Sequence, residues 1–221
     1  RFDTRHELGL QLAAGSVSVQ PFVTGRATVY DDRFTQFSPN EDEKYRLWGS
    51  EGLSMSTELQ YVDNGAESRL FDIHRMRHIV QLDLAVWHAN STMDRKSLPV
   101  YDDDVQSLAD GTTARFAVDQ TCHTQRGGPG RWRSVDVFKL NTELFTSSSE
   151  IDKESPIGRY IDYRPELSNL GGTYGAGNAA WQVTEVFGLG ASTVYDFETQ
   201  YLQKTSLGGT LRHTPDFSTF A

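Results

Sequence analysis

Small or apolar residues alternate with mostly polar ones along two long stretches of the chain. Between positions 17 and 29 the odd positions are Val17, Val19, Pro21, Val23, Gly25, Ala27 and Val29. Between positions 47 and 61 the same spacing carries Leu47, Gly49, Leu53, Met55, Thr57, Leu59 and Tyr61. A period of two predicts a β-strand with one apolar and one polar side. Both stretches exceed the roughly five or six residues usual in soluble strands, and they match the roughly nine to eleven that a tilted strand needs to cross a bilayer.

Similar patterns predict about ten strands in all. They cover residues 4–13, 17–30, 47–61, 77–88, 114–125, 132–145, 159–169, 180–189, 192–202 and 206–214. The connections between them alternate between short and long in the first half, and the long ones span 31–46 and 89–113. Almost no helical pattern is present, so the fold class is all-β, an antiparallel up-and-down barrel or partial barrel. In that arrangement both long connections lie at the same edge of the sheet.

Three local features modify this pattern. Pro21 lies inside a strand pattern, which predicts an edge or a bulge because proline lacks a backbone donor. Asn64-Gly65 predicts a tight turn between the third and fourth strands. The glycine-rich run 171–178 predicts a flexible loop rather than a phosphate-binding turn, since an alternating pattern and not a helix follows it.

The composition argues against a nucleic-acid partner. The 221 residues carry a formal net charge of −9, and the isoelectric point is about 5.1. Mean hydropathy is −0.51, which suits a barrel wall because lipid-facing residues occupy only alternate positions. The single cysteine, Cys122, excludes an internal disulfide. We expect residues 1–221 to form one β-barrel domain or a fragment of a larger barrel, because the strand pattern is present from the first residues.

No set of residues in the sequence indicates a catalytic or metal site. His74 and His78 are four positions apart, but in a strand that spacing separates them by more than about 13 Å. The run Asp102-Asp103-Asp104 lacks the acidic residue and glycine that a calcium loop needs further on. No Gly-x-Ser-x-Gly elbow is present. We therefore expect no enzyme activity, no catalytic residues, no cofactor and no metal.

Charged residues on the polar sides of the predicted strands fit a different role. They are Arg26, Glu58, Arg115, Asp119 and Glu143. In a sandwich they would face solvent, whereas in a barrel they would face a wet lumen, where they could pair or contact a polar ligand. The apolar side of the second strand, from Val17 to Val29, would then face lipid.

Several short motifs resemble the barrel domain of the LPS-assembly outer-membrane protein family, also called the LptD or organic solvent tolerance family. They are Arg77-His78-Ile79-Val80, Leu98-Pro99-Val100-Tyr101-Asp102, Trp132-Arg133-Ser134-Val135-Asp136, Asp162-Tyr163-Arg164-Pro165-Glu166-Leu167-Ser168 and Arg212-His213-Thr214-Pro215. The family-like positions are Arg77, His78, Pro99, Asp102, Tyr163, Arg164 and Pro165. The chain departs from the family at Gln81-Leu82, where the family usually has a proline, and the family's full barrel has more strands.

The resemblance implies transport without catalysis in a bacterial outer membrane. Family members receive lipopolysaccharide from periplasmic bridge proteins and pass it through a lateral opening between strands, while a lipoprotein plugs the lumen. The implied partners are therefore lipopolysaccharide or a similar glycolipid, a lipoprotein plug, bridge proteins and the membrane itself.

Two other functions fit the strand pattern. One is a generic outer-membrane pore or adhesin, and the other is a soluble all-β carbohydrate-binding module that stacks aromatic rings on sugars. Two girdles of aromatic residues about 25 Å apart would favour either barrel over the module. The sequence places candidate girdle residues near strand ends at Phe22, Tyr30, Trp48, Tyr61, Trp87, Trp132, Phe145 and Tyr201.

Overall fold

An antiparallel β-sheet accounts for nearly all of the regular structure. The structure of the protein, a computed structural model, describes residues 1–35, 44–93, 110–148, 172–214 and 216–220. The strands are β1 (Phe2–Gly9), β2 (Leu12–Ala14), β3 (Val17–Val29), β4 (Tyr45–Ser68), β5 (Ile73–Ser91), β6 (Gly111–Arg126), β7 (Arg133–Ser147), β8 (Thr173–Gln182), β9 (Phe187–Asp196), β10 (Tyr201–Thr214) and β11 (Phe217–Phe220). One short helix, α1 (Asp32–Thr35), follows β3.

The strands lie beside their neighbours in the chain. The sheet has 11 strands in the order β1-β3-β4-β5-β6-β7-β8-β9-β10-β11, and β2 pairs with β3 beside β1. Over the described residues this path is open, with β1 at one end and β11 at the other. The prediction of an all-β, antiparallel up-and-down sheet is confirmed. No helix among the described ranges is both long enough and apolar enough to span a membrane.

The predicted first strand is divided into β1 and β2. Register pairs run from Phe2 opposite Val29 to Gly9 opposite Phe22, and resume with Leu12 opposite Val19. Across the break, the Leu10 amide donates to the Pro21 carbonyl over 3.0 Å. The pairing resumes in the same register, and β3 lies between β1 and β4, so the edge or bulge predicted at Pro21 is wrong. The proline, which lacks a backbone donor, lies opposite the gap between β1 and β2.

The turn predicted at Asn64-Gly65 is wrong. Both residues lie within β4, which continues to Ser68, and the Asp63 carboxylate accepts the Gly65 amide at 2.8 Å. The chain reverses only after Ser68, where Asp72 adopts a left-handed backbone with φ of 50°. The reversal thus depends on a conformation that aspartate tolerates better than most residues, and not on the Asn-Gly pair.

The flexible loop predicted over 171–178 is wrong for residues 173–178, which begin β8. A Cβ on Gly175 would lie 3.3 Å from the Phe197 ring, and one on Gly177 would lie 3.5 Å from the Thr193 methyl group. Gly175 therefore lies where a neighbouring ring approaches the strand closely, whereas the contact at Gly177 would be an ordinary one. The predicted strand 180–189 instead covers the end of β8, a turn and the start of β9, and the predicted strand 192–202 covers the end of β9, a turn and the start of β10. Residues 159–169 lie outside the described residues.

The two long connections predicted at one edge of the sheet end next to each other. The Tyr30 amide donates to the Lys44 carbonyl at 2.9 Å, and the Thr92 amide donates to the Leu47 carbonyl at 2.9 Å. The first bond closes the connection from β3 to β4, and the second ties the end of β5 to the start of β4. This arrangement agrees with the up-and-down prediction.

The chain packs as two compact units. The first comprises Arg1–Met55, Leu84–Arg115 and Phe145–Thr173, and the second comprises Ser56–Asp83, Phe116–Leu144 and Tyr174–Ala221. Long strands such as β4 and β5 contribute residues to both units. The prediction of a single domain over 1–221 stays a prediction.

Aromatic side chains dominate the buried part of the first unit. Trp87 and Phe145 meet edge to face with ring centroids 5.9 Å apart. Tyr30 packs on Met93 and Trp48 packs on Ala89, all four of them buried.

The buried part of the second unit is smaller and mixed. Its buried apolar residues are Ala117, Val137, Tyr174, Ala176 and Val194. They are accompanied by the buried polar residues Thr124, Arg126 and Glu143, so the interior of this unit is not purely apolar.

Candidate functional site: the buried polar face

Polar and charged side chains share the buried side of the strands in the first unit with the aromatic residues described above. On β3, Thr24 and Thr28 are 1% and 3% exposed. On β4, Arg46 is 2% exposed and Ser50 is also buried. We call this side the buried polar face; its members are Thr24, Arg26, Thr28, Arg46, Ser50, Thr113 and Arg115.

The opposite side of the same strands is apolar and exposed. Val23 and Val29 on β3 are 48% and 37% exposed, and Leu47 on β4 is 58% exposed. The exposed apolar side chains further along the chain are Leu53, Leu59, Leu84, Val86, Phe116, Leu144, Leu189, Leu207 and Leu211. Water-soluble sheets place such residues in the core and polar residues outside, so the polarity of these strands is inverted.

Large exposed aromatic residues stand at the starts of strands. Phe2, Tyr45, Phe187 and Tyr201 are the first residues of β1, β4, β9 and β10, and their exposures run from 37% to 72%. Trp132, which is 43% exposed, directly precedes β7.

An ion pair anchors the buried polar face at β1. Arg26 donates from Nε to Asp3 Oδ1 at 2.9 Å and from Nη2 to Oδ2 at 2.7 Å, while the Thr28 hydroxyl donates to Oδ1 at 2.6 Å. The paired bonds fix both side chains in one orientation. Arg26 therefore holds β1 against β3 and keeps a guanidinium on the polar side.

A second guanidinium lies on the same face of β4. Arg46 donates from Nε to the Ser91 hydroxyl at 3.0 Å, and that hydroxyl donates to the Met93 carbonyl at 2.8 Å. The chain of bonds ties β4 to the end of β5. Arginine is rarely buried to this degree unless its donors are satisfied.

Most of the charged residues predicted to share a polar interior lie on buried or half-buried positions. Arg26 is nine-tenths covered at its side chain, Arg115 and Glu143 are buried, and Asp119 is half-buried and accepts a hydrogen bond from Asn141. Glu58 is an exception, because residues 58–65 of β4 are exposed on both sides.

The family-like residues that the structure describes make local contacts. Arg77 donates two hydrogen bonds to the Gln60 side chain, at 3.1 and 2.8 Å, and the His78 ring lies 3.1 Å from Gln120 Oε1. The remaining family-like residues, Pro99, Asp102, Tyr163, Arg164 and Pro165, lie outside the described residues. Within the described ranges, no group of three or more His, Cys, Asp or Glu side chains is placed to hold a metal ion.

Four of the candidate girdle residues are buried instead of outward-facing. Tyr30, Trp48, Trp87 and Phe145 are all less than 10% exposed. Tyr30 and Trp48 occupy even positions, which carry mostly polar residues and form the buried side of the strands. The alternation in the sequence therefore predicts that both side chains lie on the buried side. Tyr61, Trp132 and Tyr201 are exposed, as a girdle requires.

Arg126 has a structural role that the sequence analysis did not predict. It is fully buried, and its guanidinium donates to the carbonyl oxygens of Phe71 and Asp72 at 3.0 and 3.1 Å and of Gln182 and Val183 at 3.1 and 3.3 Å. It thereby joins the turn after β4 to the turn after β8. No periodicity marks it, because it is the last residue of β6.

No protein-family model matches the sequence, and no curated protein matches it either.

Proposed function

We propose that the chain forms part of the wall of a transmembrane β-barrel in a bacterial outer membrane. The observation that carries this proposal is the inverted polarity of the strands. Leucine and valine side chains face outward, while arginine, threonine and serine are buried on the other side. Outer-membrane barrels have this arrangement because lipid surrounds them and their interior is polar.

Strand length and the exposed aromatic residues support the same proposal. β3, β6 and β7 have 13, 16 and 15 residues, which exceeds the roughly nine to eleven needed to cross a bilayer. Aromatic rings at strand ends, such as Tyr45 and Tyr201, suit the boundary between hydrocarbon and water.

Within that class, we propose assembly of lipopolysaccharide or a similar glycolipid into the outer leaflet, without catalysis. The motifs around His78 and Trp132 resemble the LPS-assembly family, and a buried face with guanidinium and hydroxyl groups suits a sugar and phosphate head group. A lipoprotein plug and periplasmic bridge proteins are the partners that this function requires.

Membrane insertion is tested with spin labels on adjacent residues of β3. In a Cys122→Ser background reconstituted in lipid vesicles, a label at Val23 should be accessible to oxygen and shielded from a polar relaxing agent. A label at Thr24 should show the reverse preference. Equal accessibility at the two positions would remove the lipid-facing assignment.

The transport proposal needs an assay in cells. Depletion of the protein should reduce lipopolysaccharide at the cell surface and increase sensitivity to large hydrophobic antibiotics. If surface display and resistance stay normal while the spin labels still report insertion, a generic pore is the correct function.

A further inference from the structure

Five exposed arginines lie in or beside the short connections of the second unit. Arg69 is in the turn after β4, Arg75 near the start of β5, Arg131 in the turn before β7, Arg133 at the start of β7, and Arg212 near the end of β10. We call this set the arginine rim.

Contacts among the connections bring the rim together. The His74 ring, next to Arg75, stacks on Trp132 with centroids 4.3 Å apart. The Arg133 guanidinium hydrogen bonds to Glu185, and the Arg212 amide donates to the Val186 carbonyl at 2.7 Å. The turns after β4, β6 and β8 and the end of β10 therefore lie in one neighbourhood.

The rim retains positive charge that acidic side chains do not neutralise. Within the described ranges, Arg69, Arg75 and Arg131 form no ion pair. Of the carboxylates at this edge, Glu185 pairs with Arg133 of the rim, Asp72 lies 3.4 Å from buried Arg126, Glu67 lies 3.4 Å from His74, and Asp136 contacts Lys139 and His123.

Exposed apolar side chains stand between these guanidinium groups. Leu70, beside Arg69, is 78% exposed, and Trp132, between Arg131 and Arg133, is 43% exposed. Val186, whose carbonyl accepts the Arg212 amide, is 50% exposed. Apolar groups next to long cationic side chains are typical of residues at the boundary of a membrane, where the charged ends reach the head groups.

We propose that the arginine rim binds the phosphate head groups of anionic phospholipids in the leaflet that meets the short connections. This inference rests on the proposed function, because it requires the strands to lie in a bilayer. Guanidinium groups bind phosphate through paired hydrogen bonds, and the exposed leucine and tryptophan would contact the adjoining acyl region. The rim thereby fixes which end of the sheet lies at the phospholipid leaflet.

Trp132 provides a readout within the rim. The full chain in neutral maltoside micelles is titrated with short-chain phosphatidylglycerol or with short-chain phosphatidylcholine while tryptophan emission is recorded. A Trp132→Phe variant identifies the share of the signal that comes from this residue. We expect phosphatidylglycerol to act at about a hundredfold lower concentration, since a cationic side chain near an anionic surface contributes about fivefold and three rim arginines form no ion pair.

A triple variant tests whether the rim itself is responsible. Arg69→Gln/Arg75→Gln/Arg131→Gln should bring the two lipids within about threefold of each other. A control with the same change in net charge, Arg5→Gln/Arg33→Gln/Lys44→Gln, should keep the preference for phosphatidylglycerol. Circular dichroism of each variant must match that of the parent chain before the lipids are compared.

Three results would overturn the inference: equal affinity of the parent chain for both lipids, an equal loss of preference in the control, or tighter binding of a polyglutamate peptide than of phosphatidylglycerol. The spin-label experiment on Val23 and Thr24 separates this failure from failure of the membrane proposal. If the spin labels still report membrane insertion but the chain does not prefer phosphatidylglycerol, only the proposed lipid binding by the arginine rim is overturned.

Discussion

At Gly52 on β4, the absence of a side chain permits the packing around it. A Cβ there would lie 2.5 Å from Phe22 Cζ and 2.7 Å from both Trp87 Cβ and the Val86 carbonyl oxygen. The Phe22 ring could rotate away, but the backbone oxygen and the Trp87 Cβ cannot move without shifting β5. The aromatic cluster of the first unit therefore depends on a glycine at this position.

We expect Gly52→Ala to lower the free energy of unfolding by about 1–3 kcal/mol, the usual cost of overpacking a well-packed interior. The measurement is urea unfolding in lipid vesicles, followed by tryptophan emission. Gly25→Ala is the matched control, because a Cβ on Gly25 meets nothing within 4 Å. An equal loss of stability in both variants would show that any added methyl group weakens these strands.

The Arg133–Glu185 pair makes a prediction about pH. The Arg133 guanidinium, which hydrogen bonds to Glu185, holds the pKa of that carboxyl below its usual range. Because the pKa is lowered in the folded state, the pair contributes stability above the unfolded-state pKa and loses it as the pH falls through the folded-state value.

In Arg133→Gln we expect the Glu185 titration to move upward toward the ordinary glutamate range. Carbon-13 NMR of the labelled side chain carboxyl measures this shift directly. Glu198, an exposed glutamate elsewhere in the second unit, serves as the internal reference. An unchanged titration of Glu185 would mean that Arg133 does not interact with it in solution.

At the scale of single residues, position in the alternation predicted the side of the sheet on which a side chain lies better than residue type did. Thr24 and Trp48 share the even register, and both are buried. Residue type alone suggested that Trp48 belongs to an outer girdle, because tryptophan is common both at membrane boundaries and in packed interiors. The contacts of Arg126 could not be predicted, since its carbonyl partners belong to two distant turns.

At the scale of elements, Arg126 links two turns that share no strand pairing with each other. Its guanidinium bonds to carbonyl oxygens of the turns after β4 and after β8. Thr124, two residues earlier, accepts the His74 amide at 2.9 Å and donates to the Arg75 carbonyl at 2.8 Å. Together these side chains hold a segment in which Asp72 and Arg75 both adopt positive φ.

Replacing Arg126 with methionine keeps the volume but removes every donor. We expect amide hydrogen exchange in residues 70–75 and 182–186 to rise by about tenfold or more, because hydrogen bonds to charged groups contribute about 1.5–3 kcal/mol. Hydrogen–deuterium exchange with mass spectrometry resolves both segments. Arg133→Met is the control, because it removes an exposed guanidinium at the same end of the sheet and should leave the exchange rates of residues 70–75 unchanged. If the exchange rates of these residues are also unchanged in the Arg126 variant, Arg126 does not link the two turns.

Strand positions followed from the sequence more reliably than turn positions. The alternation over 17–29 coincides with β3, because small or apolar residues lie on one side and mostly polar residues on the other. The reversal after Ser68 carries no Asn-Gly or Pro-Gly signal, so its position depends on tertiary contacts with β6. The glycines of β8 resemble a loop in composition, yet residues 173–178 lie in a paired strand.

At the scale of the whole molecule, the up-and-down order places every second connection at the same edge. The connections after β3 and β5 are therefore expected on one side of the membrane and the turns after β4 and β6 on the other. The sequence predicted this arrangement from the alternating lengths of the connections. It did not identify the pairs of strand ends that meet, such as Leu47 and Thr92.

Labelling of intact cells tests this arrangement. In a Cys122→Ser background, single cysteines at Asp31 and Asp110 should both react with a membrane-impermeant maleimide. Cysteines at Leu70 and Pro129, in the turns at the opposite edge, should react only after the outer membrane is opened. Reaction of Asp31 and Asp110 cysteines from different sides would contradict the topology.

Among the described residues, each strand from β4 to β10 pairs with the strands before and after it in the chain, and this has a consequence for how such a protein changes over evolution. Apart from β2, each interior strand from β3 to β10 contributes one ladder to the preceding strand in the order and one to the next. Duplicating or losing a hairpin such as β6 with β7 would restore equivalent ladders at the junction and leave all other pairs in register. Because two strands enter or leave together, the direction of every remaining strand and the side on which its leucines lie would be unchanged. The number of strands is therefore free to vary by twos while the same inverted alternation is inherited.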